Sequence, residues 1–139
     1  MQIYPNFIDA LNKKALSLYR LQRYDKALEK LEEAISLDNN NSFAYNLKGL
    51  ALMNSNRYSE ALLAFDKSIE IDSKYLAPLK NKGIVSMKIQ KYNEAIDNFN
   101  NALQINPIDQ FAWDAKNTAM RLSSLYSWWY VIDETSERK

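Results

Sequence analysis

The sequence predicts an all-α fold built from repeated helical hairpins, and two regularities carry that prediction. The first is a fixed period, because Gly49 and Gly83 lie 34 residues apart (83 − 49), as do successive members of the set Tyr24, Tyr58 and Tyr92. The second is that apolar residues within one period recur at helical spacing on both sides of a short polar break. A period of this length is typical of stacked repeats, in which each unit packs against its neighbours.

Each period is predicted to fold as two helices joined by a tight turn. In the segment 42–75, Gly49 and Leu52 share one face of the first helix, and Ala61 and Phe65 share one face of the second. Small residues on facing helices let the two backbones approach closely. We therefore expect Gly49 to face Ala61, with the ring of Phe65 packed one turn further on.

These residues resemble the tetratricopeptide repeat (TPR) pattern. In that family the first helix carries an aromatic residue, leucine, glycine and a second aromatic residue, and the second carries alanine, an aromatic residue and alanine before a closing proline. The corresponding places in the second repeat hold Tyr45, Lys48, Gly49, Leu52, Ala61, Phe65, Ser68 and Ser73. Those in the third repeat hold Leu79, Lys82, Gly83, Ser86, Ala95, Phe99, Ala102 and Pro107. The resemblance implies an α-α superhelix, or TPR solenoid, of three helical hairpins plus a C-terminal capping helix.

The repeat pattern divides the chain into six segments. They are a lead-in (1–7), three repeats (8–41, 42–75 and 76–109), a capping helix with an aromatic end (110–132) and a charged tail (133–139) that is expected to fray.

Three helix ends can be placed from the same pattern. The first helix is expected from about Ile8, and the capping helix from Gln110 to about Tyr126. Where the family usually has a glycine with left-handed backbone, between the helices of each hairpin, this chain has Gln22, Asn56 and Gln90.

Composition indicates a soluble protein of one structural unit and argues against several functions. The 139 residues include 18 basic and 17 acidic side chains, so the net charge of +1 gives no field that attracts nucleic acid or a membrane surface. Cysteine and histidine are absent, and no glycine-rich phosphate loop occurs. We therefore expect no enzyme activity, cofactor or metal. No signal peptide is recognisable, and a cytoplasmic location is the default expectation.

A ladder of lysines stands where the TPR pattern usually has leucine. Lys14, Lys48, Lys82 and Lys116 are spaced 34 residues apart. They could form a basic stripe for an acidic partner. The interpretation we favour is that each stem covers apolar surface while the ammonium group lies in water beside a carboxylate.

In TPR proteins the first helices of successive hairpins line a concave groove that holds a partner. Apolar residues are stacked in the middle of the corresponding surface of this chain, and exposed apolar surface of this kind favours binding. We expect this surface to be separate from the one used in hairpin packing. The residues expected to anchor a partner are Leu50, Met53, Ile84 and Met87. The expected groove residues are Asn12, Leu16, Tyr19, Arg20, Phe43, Asn46, Leu50, Met53, Lys80, Ile84, Met87, Lys88 and Phe111.

The partner expected from this surface is another protein. One subclass of the family binds chaperone carboxyl termini through a clamp of Lys, Asn, Asn, Lys and Arg. The matching places here hold Asn12, Leu16, Leu47, Ala77 and Asn81, which carry no cation. The sequence therefore predicts a protein-interaction scaffold that binds an apolar or amphipathic peptide or helix.

The aromatic end of the chain leaves alternatives open. Trp128, Trp129 and Tyr130 could cap the last helix, which we favour, dock on a neighbouring protomer, or lie at a membrane interface. Docking would make the chain a self-assembling structural module, which is the competing functional hypothesis. Either a monomer or a weak homodimer fits the sequence, and a regulatory piece of a longer enzyme is a third interpretation.

Overall fold

The computed structural model describes the backbone of residues 5–137 and the side chains of residues 6–128. Within those limits the chain forms seven α-helices and no strand. The helices are α1 (Pro5–Arg20), α2 (Tyr24–Leu37), α3 (Ser42–Asn54), α4 (Tyr58–Ile71), α5 (Leu76–Lys88), α6 (Tyr92–Ile105) and α7 (Gln110–Glu137).

The helices pair as the sequence predicts. Helix α1 packs against α2, α3 against α4, and α6 against the last helix, α7. In the third hairpin the ring of Phe99 in α6 lies against Gly83 in α5. The all-α fold of three hairpins followed by a C-terminal helix is therefore confirmed.

The chain separates into two compact units, which end and begin at Asn81 and Lys82 inside α5. The composition had indicated one structural unit. Helical repeats make their contacts with sequence neighbours, so a short repeat chain lacks the single central core that would unite distant segments.

Two helices are longer than the sequence pattern indicates. Helix α1 begins at Pro5 rather than near Ile8, since proline is well suited to the first helical position, where its missing N–H has no partner to lose. Helix α7 continues past Tyr126 to Glu137, so the tail is helical up to that residue rather than frayed. No glycine or proline interrupts the sequence after Pro107, which explains the continuation.

The turns inside the hairpins adopt the expected left-handed backbone. The φ angles are 60° at Gln22, 61° at Asn56 and 64° at Gln90. At the first of these turns the backbone N–H of Arg23 donates to the carbonyl of Leu18, which closes the end of α1.

The turns between hairpins are held by side-chain oxygens at one repeat position. Asp38, Asp72 and Asn106 each accept a hydrogen bond from the backbone N–H two residues later, at 3.0, 3.1 and 3.3 Å. The side chains of Asn41 and Asp109 then cap α3 and α7 by accepting from backbone N–H groups in the first turn. Short polar side chains thus fix where α3 and α7 begin.

The second and third hairpins place an aromatic ring against the glycine of the first helix. A Cβ on Gly49 would overlap the ring of Phe65, and a Cβ on Gly83 would lie 2.5 Å from the ring of Phe99. The side chain nearest to Gly49 is therefore that of Phe65, and Ala61, which was expected to face this glycine, is fully buried. The missing Cβ makes room for a whole ring.

Candidate partner-binding surfaces

The expected groove residues of the first unit lie on α1 and α3, which contact each other directly. We call their shared surface the α1–α3 face. It comprises Asn12, Leu16, Tyr19, Asn46, Leu50 and Asn54.

The apolar part of the α1–α3 face is continuous with the core. Leu16, Tyr19 and Leu50 are partly buried and pack against a cluster that includes Ala15 and Leu31. The expectation that this face is separate from hairpin packing is therefore wrong. Since α1 and α3 touch, side chains between them both support the core and keep one exposed edge.

Three other expected groove residues of α1 and α3 differ in accessibility. Met53, expected as an anchor, is only 8% exposed and belongs to the core. Phe43, at the start of α3, leaves 39% of its surface exposed, and Arg20 is exposed at the end of α1. A partner can therefore reach Phe43 and Arg20 but not Met53 without rearrangement.

One end of the α1–α3 face is closed by a hydrogen bond between the two helices. The side-chain amide of Asn54 donates to the hydroxyl of Tyr19 at 2.9 Å and to the carbonyl of Leu50 at 2.9 Å. The ring of Tyr19 also contacts that of Tyr24, with centroids 5.6 Å apart. The Tyr19 side chain is thereby held in one position.

Asn46, which was expected to orient a partner, is buried, and its amide nitrogen and carbonyl oxygen are both hydrogen-bonded within the chain. Its amide nitrogen donates to the Tyr75 hydroxyl oxygen at 3.4 Å, and its carbonyl accepts from the amide of Asn81 at 3.0 Å. Burial raises the pKa of Tyr75, and the hydrogen bond from Asn46 opposes that shift. Sequence reasoning missed this network, because the sequence does not show which groups an asparagine or tyrosine side chain will bond.

Asn12 differs from Asn46 although both stand at the same place in their repeats (46 − 12 = 34). Asn12 is 7% exposed, and its side-chain carbonyl oxygen is buried without a hydrogen-bond partner in the structure. Buried polar atoms in proteins are nearly always paired. This atom is the unsatisfied acceptor of the α1–α3 face.

The expected residues of the second unit lie around a separate cluster. Ile84 and Met87 are partly buried against Phe99 and its neighbours. Phe111 is 48% exposed and meets the ring of Phe99 edge-on, with centroids 6.3 Å apart. Lys88 is exposed. This group resembles the α1–α3 face in that its apolar side chains also support the core.

The lysines of the ladder have different surroundings. The ammonium group of Lys48 lies 2.6 Å from the carboxylate of Glu32, which agrees with the interpretation we favoured. That of Lys116 lies 5.0 Å from the centre of the Trp113 ring instead. Lys14 is exposed, whereas Lys80, outside the ladder, is partly buried. Lys48 and Lys116 therefore have individual local partners.

The C-terminal helix presents an apolar cleft in the second unit. Tyr92, Leu122, Leu125, Tyr126 and Trp128 line a cleft of about 370 Å³. Trp128, which was favoured as an end cap of the last helix, is 68% exposed. The other two expected self-docking residues, Trp129 and Tyr130, have side chains outside the described residues.

Metal binding, membrane crossing and the family's carboxylate clamp were each checked against the part of the chain that the structure describes. No group of three or more acidic side chains is arranged to hold a metal ion there. Nor does any helix among these residues combine the length and hydropathy needed to cross a bilayer. None of the five residues at the places of the family's clamp is a lysine or arginine. Of these residues, Leu47 is buried and Asn81 donates a hydrogen bond to Asn46.

The comparisons with known proteins agree with the fold. A family model described as tetratricopeptide repeat matches residues 12–75, and a second model of the same description matches residues 81–109. None of the curated protein sequences matches the chain.

Solved structures give the same fold at low identity. The Arabidopsis OM64 TPR domain is 23% identical with a TM-score of 0.79, covering 82% of this chain and 94% of that one. The first TPR of Spaghetti (RPAP3), bound to the HSP90 peptide SRMEEVD, is 14% identical with a TM-score of 0.83, covering 89% and 98%. The Sgt2 TPR domain from Aspergillus fumigatus is 16% identical with a TM-score of 0.82, covering 89% and 83%.

Proposed function

The chain belongs to the tetratricopeptide repeat family, and we propose that it is a protein-interaction scaffold whose α1–α3 face binds an apolar or amphipathic segment of a partner protein. The observation that carries the proposal is the half-buried apolar strip of Leu16, Tyr19 and Leu50, which rests on the core and keeps an exposed edge. An apolar surface supported from behind gives a partner side chain rigid contacts at little entropic cost.

The solved relatives support a peptide-sized partner. The first TPR of Spaghetti (RPAP3) was solved with an HSP90 peptide, and the second TPR domain of human RPAP3 with an HSP70 peptide. Both peptides contain acidic residues, whereas none of the five clamp positions in this chain is cationic. We therefore propose an apolar or amphipathic segment rather than an acidic tail.

The test uses short peptides selected from a displayed random library against the full chain. Leu16→Ala and Leu50→Ala should each weaken the selected peptide about tenfold, because each removes an apolar contact at the centre of the face. Leu63→Ala is the matched control, since Leu63 is an exposed leucine on α4. Circular dichroism checks that each variant is folded. Unchanged affinity in both Leu16 and Leu50 variants would place binding elsewhere, and a library that yields no binder would count against the proposal.

A second candidate function is self-assembly through α7. The observation that favours it is Trp128, which is 68% exposed beside the apolar cleft of the second unit. Large exposed aromatic side chains next to a cleft are typical of contact surfaces. The sequence-based expectation of a monomer or weak homodimer stays a prediction, as does the cytoplasmic location.

Light-scattering mass over about a hundredfold range of concentration separates the two candidates. Self-assembly requires a mass that rises with concentration in the wild-type chain and stays monomeric in Trp128→Ser, whereas Leu63→Ser should behave as the wild type. A wild-type chain that remains monomeric throughout would exclude this second function.

A further inference from the structure

Helix α7 repeats the pattern of a first hairpin helix, but the corresponding side of it is open. Asn117 stands two periods after Gly49 of α3 (117 − 49 = 68). Met120 stands in the same relation to Leu52 (120 − 52 = 68). In α3 this side is covered, since the Phe65 ring lies against Gly49 and Leu52 is only 2% exposed. In α7 both equivalent residues are exposed, Met120 by 48%. The open side of α7 is therefore the side on which this fold packs another helix.

We call the open side of α7 the α7 face. The buried residues Ala112 and Ala119 lie on the other side of the helix. The indole N–H of Trp113 donates to the carbonyl of Pro107 at 2.7 Å, so this ring is held in place although Trp113 is 41% exposed. A fixed aromatic side chain loses little entropy when a partner covers it. Helical spacing places six exposed residues on the α7 face, namely Trp113, Asn117, Met120, Arg121, Ser124 and Trp128.

We propose that the α7 face binds the same face of a second copy of the chain, with the two α7 helices antiparallel across a two-fold axis that passes near Asn117. This inference rests on the second candidate function, self-assembly through α7. It goes beyond that function by identifying the contacting surface and the arrangement of the two copies.

Asn117 excludes the helix that usually fills this place and favours a second copy. In the second and third hairpins a phenylalanine ring occupies the space that a Cβ on the glycine would need. Asn117 has a Cβ and a side-chain amide, so such a ring does not fit there. The amide has both donors and an acceptor, and it makes no side-chain hydrogen bond within the described residues. Two of these amides can bond to each other across a two-fold axis, and a polar pair at the centre of a helix contact fixes its register.

The charges on either side of Asn117 are complementary under the same symmetry. Asp114 and Arg121 are exposed, and neither forms an ion pair within the part of the chain that is described. In an antiparallel pair centred near Asn117, Asp114 of each copy lies opposite Arg121 of the other copy, which gives two ion pairs. A parallel pair would place like charges side by side instead. The charge pattern therefore selects the antiparallel arrangement.

The apolar residues of the α7 face also fit this arrangement. The antiparallel register places Trp113 of one copy between Met120 and Ser124 of the other. Serine is small, so it leaves room for the indole ring beside the flexible methionine side chain. The contact thus combines a large side chain with a small one, as close helix packing requires.

Exchange of the two charges tests the pairing. Asp114→Arg and Arg121→Asp should each weaken self-association about tenfold, because each sets like charges against each other twice in the dimer. The double variant should associate nearly as well as the wild type, since both ion pairs form again with the charges reversed. Light-scattering mass measures the association, and circular dichroism checks that each variant is folded. A double variant that is weaker than either single variant would overturn the pairing.

Disulfide cross-linking tests the axis and the direction of the two helices. The chain contains no cysteine, so a single introduced thiol is the only reactive one. Asn117→Cys should give a cross-linked dimer on mild oxidation, because the two thiols lie next to the axis. Ser124→Cys is the matched control on the same face, since the antiparallel register separates its two thiols by about 20 Å along the helices. Equal cross-linking of both variants, or none in Asn117→Cys at a concentration where the wild type dimerises, would overturn the arrangement.

The outcomes separate this inference from the function on which it rests. If the wild-type mass rises with concentration and Trp128→Ser is monomeric, but the charge and cysteine variants contradict the expected pattern, self-assembly through α7 stands and the antiparallel arrangement is wrong. If the wild type stays monomeric throughout, the second candidate function fails first and this inference fails with it. Peptide binding at the α1–α3 face is measured independently of both results.

Discussion

The ring of Phe65 lies against the backbone of Gly49, in the place that a Cβ on that glycine would occupy. Phe65 is fully buried, so its ring has no free space to move into. The equivalent pair in the first repeat is Ala15 with Leu31, each one period earlier (49 − 34 and 65 − 34), and both are fully buried in one cluster. The first hairpin therefore pairs alanine with leucine, and the second pairs the smaller glycine with the larger phenylalanine.

Gly49→Ala is expected to destabilise the chain by about 1–3 kcal/mol. At an ordinary helical position this substitution stabilises, because alanine is the better helix former. Here the added methyl group overlaps the Phe65 ring. Urea unfolding monitored by circular dichroism measures the change. An increase in stability would show that the ring can move aside.

The natural pairing in the first repeat provides the matched control. The double variant Gly49→Ala with Phe65→Leu recreates the combination of Ala15 and Leu31. It should recover part of the stability lost in Gly49→Ala, because the smaller side chain makes room for the methyl group. Additive losses in the double variant would contradict the explanation, since coupled neighbours are expected to deviate from additivity.

Gln22→Gly and Gln90→Gly are each expected to stabilise the chain by about 0.5–1 kcal/mol. Both glutamines have positive φ, which costs a residue with a Cβ about 1–2 kcal/mol, and glycine recovers most of this after its larger backbone entropy is subtracted. The midpoint of urea unfolding measures the gain.

Asn56 provides the comparison for these turns. It has the same left-handed backbone, but asparagine tolerates that conformation, and its side-chain oxygen accepts a hydrogen bond from the Tyr58 hydroxyl at 2.9 Å. Asn56→Gly should therefore give no gain. Equal stabilisation at all three positions would show that backbone strain differs little between glutamine and asparagine.

The hairpins and their turns could be predicted from the sequence because both depend on local spacing. Helical periodicity places Gly49 and Phe65 on facing helices, and a 34-residue comparison finds the left-handed position at Gln22 and its equivalents. The end of α7 was missed since the repeat pattern stops there, although an uninterrupted run without glycine or proline was visible.

Polar contacts and accessibility could not be predicted in the same way. The partly buried Ser42 and the buried Ser68 bond to each other through their hydroxyl groups at 2.8 Å, at the places that Ile8 and Ala34 fill with apolar contact in the first repeat. The sequence shows that both residues of this pair change from apolar to serine between the first and second repeats, but it does not show that the two serines bond to each other. Whether Met53 is buried or Phe43 exposed depends instead on how closely neighbouring helices approach, which no single-helix pattern contains.

The network around Tyr75 predicts a pH dependence in alkaline solution. Burial raises the pKa of Tyr75 in the folded chain, so the folded state holds the neutral hydroxyl more tightly than the unfolded state does. Its contribution to stability is complete below the pKa of an unfolded tyrosine, about 10, and is lost as the pH rises through the folded value. The advantage of the wild type over Tyr75→Phe should therefore shrink above about pH 10. Urea unfolding of both chains across that range measures this change.

Asn81→Ala is the control for this prediction. It removes the neighbouring bond to Asn46 but leaves the Tyr75 hydroxyl, so it should lose stability with pH as the wild type does. A difference between wild type and Tyr75→Phe that stays constant with pH would show that the hydroxyl titrates alike in both states.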